Sequence, residues 1–258
     1  MERMMSRLVS LVALLALLGF GVGCGSGGSG AGLPLTEAAR VRATFSRHSV
    51  GGRAPTDLSW HIVTVELDKL RSGGYLSLPE GISIVDGDAL ATPADADHAY
   101  TQAELDALVV AHRGTPAADE ALVTALYLDG HYAGEGDDGA VLGLAFGGDA
   151  IALFADRLKE SCGATGPKAK TVCAVTEAGV VLHEFGHLLG LVNDGTPMVA
   201  AHQDSEHGAH CTNPDCIMYY TNDRKGFAEL IGKRVQQGNE DVTAFDESCL
   251  ADLKAIAK

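Results

Sequence analysis

The sequence predicts an α+β fold with an α/β-like alternation of strands and helices, in one domain spanning residues 33–258. Three observations carry this expectation. Short apolar, β-branched runs punctuate the first two thirds of the chain. The segment Thr101 to His112 has helical spacing, with Thr101 as N-cap and Glu104 three residues on, a capping box. A longer segment around residues 176–189 is apolar on more than one face, as a buried helix is.

In chain order, Arg3 and Arg7 precede an apolar run from Leu8 to Phe20 that is too short to span a bilayer comfortably. Small residues follow it, which predicts a signal peptide over residues 1–23. Gly21-Val22-Gly23-Cys24 resembles a bacterial lipobox, with Gly21 where leucine is usual, and makes Cys24 the expected lipidation site. Simple secretion with a free Cys24 is the alternative. Gly25 to Gly32 completes a Gly/Ser tether over residues 24–32. The expected location is therefore the exported side of a bacterial cell envelope, with membrane contact through the lipid anchor only. Residues 33–59 fit an extra helix, an edge strand or a short pro-segment. Trp60 to Leu67 and Ile82 to Val85 read as strands, as does Ala121 to Leu128. Val141 to Phe146 and Ala150 to Phe154 bracket Gly147-Gly148-Asp149 and read as a strand pair near a sheet edge. In the next helix Thr176 is the expected N-cap, with Glu177 at the positive end of the dipole and Gly190 as a left-handed stop. A final helix is expected near Asp241 to Ile256.

A net charge of −15 argues against nucleic acid as a partner, because phosphate backbones reward clustered Lys and Arg. Six cysteines are present; Cys162 and Cys173, flanking a Gly/Pro/Lys loop, read as a small disulfide staple.

The chemistry concentrates in His183-Glu184-Phe185-Gly186-His187, followed by Leu188-Leu189-Gly190. On a helix, histidines four residues apart share a face and can reach one metal ion. Glu184, beside the first, is placed to hold a water rather than the metal. A core helix carrying two satisfied histidines is the bland reading, and burying three ionisable groups without a metal argues against it. A helix ending three residues after the second histidine brings its third ligand from a turn just beyond. Position 193 is Asn193, a poor zinc ligand, with Asp194 beside it. Further on stands His210-Cys211-Thr212-Asn213-Pro214-Asp215-Cys216-Ile217-Met218.

These motifs resemble the metzincin clan of zinc peptidases and, within it, the archaemetzincins, whose signature runs HExxHxxGxxHC, four residues, CxM. Here about seventeen residues separate Gly190-Leu191-Val192 from His210-Cys211. The resemblance implies a small twisted mixed sheet, an active-site helix, a Met-turn at Met218 and a C-terminal helix. It implies peptide-bond hydrolysis with zinc on His183, His187 and His210, Glu184 as general base and Tyr220 as a candidate oxyanion stabiliser. Asp194, His202, Asp204 and His207 are rival ligands or parts of a second cation site. The resemblance also implies a second, structural zinc on four cysteines. This chain supplies Cys211, Cys216 and Cys249, with Asp246 in the fourth place. A disulfide among the three cysteines competes with that site. Two other classes stay open. In a gluzincin the third ligand would be a later glutamate such as Glu229, and a catalytically inactive, metal-stabilised surface lipoprotein is the non-enzyme reading. Glu184 favours an enzyme, since a purely structural zinc needs no carboxylate there. A peptide or protein substrate and a monomeric state are expected; side-chain preference and endo- versus aminopeptidase action stay open.

Overall fold

The computed structural model describes residues 42–50, 55–92, 95–136, 139–163, 166–224 and 226–257. The expected signal peptide, Cys24 and tether lie outside the described residues. The elements run β1 (Arg42–Ser49), α1 (Asp57–Ser72), β2 (Gly81–Asp86), β3 (Ala99–Tyr100), α2 (Gln102–His112), β4 (Glu120–Leu128), β5 (His131–Tyr132), β6 (Gly143–Phe146), β7 (Ala150–Phe154), α3 (Ala155–Cys162), α4 (Ala169–Leu188), α5 (Gly226–Gln236) and α6 (Glu247–Ile256). A five-stranded sheet in the order β2-β1-β4-β7-β6 forms the centre. Four of its strands are parallel, and β6 returns antiparallel to β7 at one edge. β3 and β5 form a separate two-stranded parallel ribbon. The architecture is mixed α/β with a mostly parallel sheet, compatible with the expected α+β class.

The period-two alternation of β4 divides the core. Ala121, Val123, Ala125 and Tyr127 face a layer made by α1 and α4. Leu126 and Leu128 face Leu105 and Val109 of α2 on the other side. Parallel strands covered on both faces read as apolar runs, which is why β4 and β7 were legible.

Four expectations need correcting. Trp60 to Leu67 lies in α1, not in a strand. Its β-branched residues favour a strand locally, yet Trp60, Val63, Leu67 and Leu70 bury one helical face and Thr56 accepts the Ser59 amide at the N-cap. The unplaced stretch holds β1, which sits between β2 and β4 rather than at an edge. The active-site helix begins at Ala169, two turns before the expected cap, so that Thr176 is buried inside it. The disulfide between Cys162 and Cys173 ties its first turns to the end of α3. The last helix is shorter than expected, starting at Glu247 with Asp246 as N-cap, and α5 precedes it unforeseen.

Candidate metal centres

α4 delivers His183, Glu184 and His187 as one turn of a helix whose surroundings are almost wholly apolar. Gly186, between the histidines, faces Met218, and a Cβ there would overlap the methionine sulfur. Met218 is fully buried at that contact. Gly190, at φ 70°, ends the helix as expected, and the turn continues left-handed through Val192 and Asn193 at φ 55° and 65°. Asn193 turns its amide to Gln203 Oε1, 3.2 Å away.

The insertion folds back on itself. The Asp204 amide donates to His210 O at 2.7 Å and the Thr212 amide to His202 O at 2.9 Å, with Gln203 bridged antiparallel to Cys211. This narrow antiparallel turn brings His210 to α4. Ligand nitrogens of His183, His187 and His210 all lie within 4.8 Å of one another. The Nε2 atoms of His183 and His187 are 3.2 Å apart. Backbone carbonyls fix two of the rings: His183 Nδ1 donates to Ile217 O and His210 Nδ1 to His207 O, both at 2.6 Å. Each ring then presents Nε2 as a lone-pair donor, the tautomer a metal requires. Asn222, buried, donates to Ile217 O and Cys216 O at 2.8 Å and holds the first of these carbonyls in place.

Electrostatics favour uncharged imidazoles at His183 and His187. Burial pushes His183 down to about 3, with the His210 charge adding to the effect. Burial, then His183 and His210, hold His187 well below the usual imidazole value. His210 Nε2 and Glu184 Oε1 are buried without a hydrogen-bond partner. Such orphaned atoms are costly, and a cation beside the three rings would satisfy them; the donor set fits a metal. Glu184 is raised by burial and then by Asp223, whose carboxylate lies within 4.8 Å of the Glu184 and His183 ligand atoms. The Ala145 amide of β6 lowers it in part. Asp223 was not foreseen; no local spacing marks it, and only the fold brings it to Glu184. Gly143, also on β6, lets the strand approach, since a Cβ there would meet Val180 and Glu184.

The remaining expected residues fall elsewhere. Tyr220 stacks on His207, ring centroids 3.7 Å apart, and Asp204 Oδ2 accepts from His207 Nδ1 at 2.7 Å. Asp194 is half-buried, and burial raises its carboxyl above the usual value, an effect that His210 offsets in part. Glu229 sits on α5, in none of the ligand groups among the described residues.

A second buried group combines His202, Cys211, Asp246 and Cys249, ligand atoms again within 4.8 Å of one another, with Cys216 Sγ 3.6 Å from Cys249 Sγ. The three thiols are not disulfide-bonded and are fully buried. Hydrogen bonds from Cys216 and Cys249 hold Cys211 well below the usual thiol range, and the same crowding pushes Cys216 up to about 12. The chain matches no protein-family model, no curated protein and no solved structure.

Proposed function

We propose that the protein is a metzincin-like zinc peptidase. The observation that supports this reading is the convergence of His183, His187 and His210 on one buried point beside Glu184. Three imidazoles leave a tetrahedral ion one open position, the ligand count of a catalytic rather than a structural zinc. Zinc bound there would supply the Lewis acidity that makes water a nucleophile near neutral pH.

The chain's own groups do the rest. Glu184, in an apolar pocket and crowded by Asp223, holds a proton more readily than an exposed glutamate. It takes the proton of the attacking water and returns it to the leaving nitrogen. Asp223 keeps that proton affinity high, and the Ala145 amide fixes the carboxylate's direction. Among the described residues no strand pairs with the outer side of β6, apart from the Ala145 amide bonded to Glu184, so an extended peptide would add there by strand pairing. Tyr220 is the candidate oxyanion stabiliser once its ring leaves His207. The N-terminal pattern supports an exported enzyme held at the cell envelope through Cys24.

Glu184→Gln tests the assignment. Turnover of an unfolded protein substrate should fall by about 10²–10⁴-fold, with zinc content by elemental analysis unchanged. Full activity in that variant, or a chain that never carries zinc, would sink the peptidase reading.

A further inference from the structure

The second buried group contains more donors than a tetrahedral ion can take, and their other bonds decide among them. Asp246, the fourth ligand that the sequence pattern nominates, is already committed. Its Oδ1 accepts the Cys249 amide at 2.9 Å as the N-cap of α6, and its Oδ2 accepts Asn213 Nδ2 at 3.0 Å and, at 3.5 Å, Cys211 Sγ. Its own amide donates to Cys216 Sγ at 3.5 Å.

His202 is arranged in the opposite way. Its Nε2 is held 2.7 Å from Asp252 Oδ2, and Asp252 is fully buried on α6 with its other oxygen on the Val199 amide at 2.6 Å. The remaining nitrogen, Nδ1, faces Cys211 Sγ at 3.4 Å. A carboxylate behind an imidazole whose free nitrogen faces a thiol, with Cys249 Sγ within 4.8 Å and Cys216 beside Cys249, is how proteins orient a metal-ligating histidine. We propose that Cys211, Cys216, Cys249 and His202 hold a zinc ion in a closed structural site, the fourth ligand coming from the insertion.

The ligand chemistry selects the ion. Three thiolates and one imidazole are a soft, tetrahedral set that hard cations refuse and zinc accepts. With every position filled by protein, no water can bind, so the site is structural. Three thiolates around a divalent ion leave a net negative charge, which the N-terminus of α6 and the Asp246 amide offset. Asp252 is a positioning residue, and Asp246 a cap. Nothing here depends on the peptidase reading, since the two sites share no ligand.

Cobalt(II) loading of the full chain separates the sites, because only thiolate ligation gives intense sulfur-to-metal absorption in the near ultraviolet and the three-histidine site contains no sulfur. The natural chain should show that band and protect three thiols from a thiol reagent until a chelator is added. Asp246→Asn, which keeps the helix cap, should retain band and protection. Asp252→Asn should weaken metal affinity by about 10–100-fold while keeping the band. His202→Ala should lose affinity further, and His202→Cys should restore it with a stronger band. Zinc or cobalt retained at full affinity in His202→Ala but lost in Asp246→Asn would overturn the ligand set. A Cys216–Cys249 disulfide with no sulfur band in the natural chain would overturn the site itself.

Discussion

Gly186 shows how narrowly single residues hold the candidate active site together. A methyl group there would push into Met218 and against Phe245 in a fully packed region. Overpacking of this kind costs about 1–3 kcal/mol, so Gly186→Ala should lower the melting temperature and, on the proposed reading, weaken metal binding together, by calorimetry and metal titration. Asn222→Ala should act more selectively: freed of its restraint, the Ile217 carbonyl would orient His183 less well, and metal affinity should fall by about 10–100-fold. Legibility at this scale followed chain distance. His183, Glu184 and His187 lie within one helical turn, and His210 precedes a cysteine pair of fixed spacing, so local pattern was enough to nominate them. Asp223, Asn222 and Asp252 reach their places only through folding. Asp246, nominated by spacing, lies in the second cluster and also caps α6, a role that the spacing does not show.

At the scale of elements, β-branched content and helical period compete, and in α1 the period prevails because Trp60, Val63 and Leu67 find a sheet and α4 to pack against. The joint between α1 and α4 carries its own titration. Glu177 is buried, accepts hydrogen bonds from Ser59 Oγ at 2.9 Å and Tyr127 OH at 3.1 Å, and is pushed up to about 7, chiefly by burial. The folded state therefore binds a proton that the unfolded chain, near its ordinary value of 4.5, has released. Folded binding exceeds unfolded binding between those values, so this group's contribution falls as pH rises from about 4.5 to about 7 and stays reduced above. The loss is at most about 3 kcal/mol. Glu177→Gln keeps an acceptor for both hydroxyls, and should raise stability at pH 8 with little change at pH 4, by denaturant unfolding. On α2, the Thr101–Glu104 capping box is present as the sequence indicated; Thr101→Ala should cost about 1 kcal/mol.

Across the whole molecule, stabilising links gather behind the sheet's α1/α4 face. The disulfide joins α3 to α4 with a sequence separation of 11, and the second buried cluster joins the insertion, the Cys211–Cys216 segment and α6. Replacing Cys162 and Cys173 by serine should lower stability by about 2–3 kcal/mol, as expected for a loop of that length. The alternation of elements foretold the mixed class but not the order β2-β1-β4-β7-β6, because strand neighbours are set by crossovers that leave no local mark. One link also bears on how such a chain can change in length. Closing a longer loop costs only logarithmically more entropy, and the His202–Asp252 pin divides the seventeen-residue insertion into two short spans. The span before the pin is tied at Thr196 to Leu189 and at Val199 to Asp252, so residues can be gained or lost between those two ties without breaking either. Between His202 and His210 the register is frozen, because one residue more or less would pull one of the two histidines out of its buried cluster to keep the other. Variation among lengthened or trimmed chains should therefore survive before the pin and be eliminated after it.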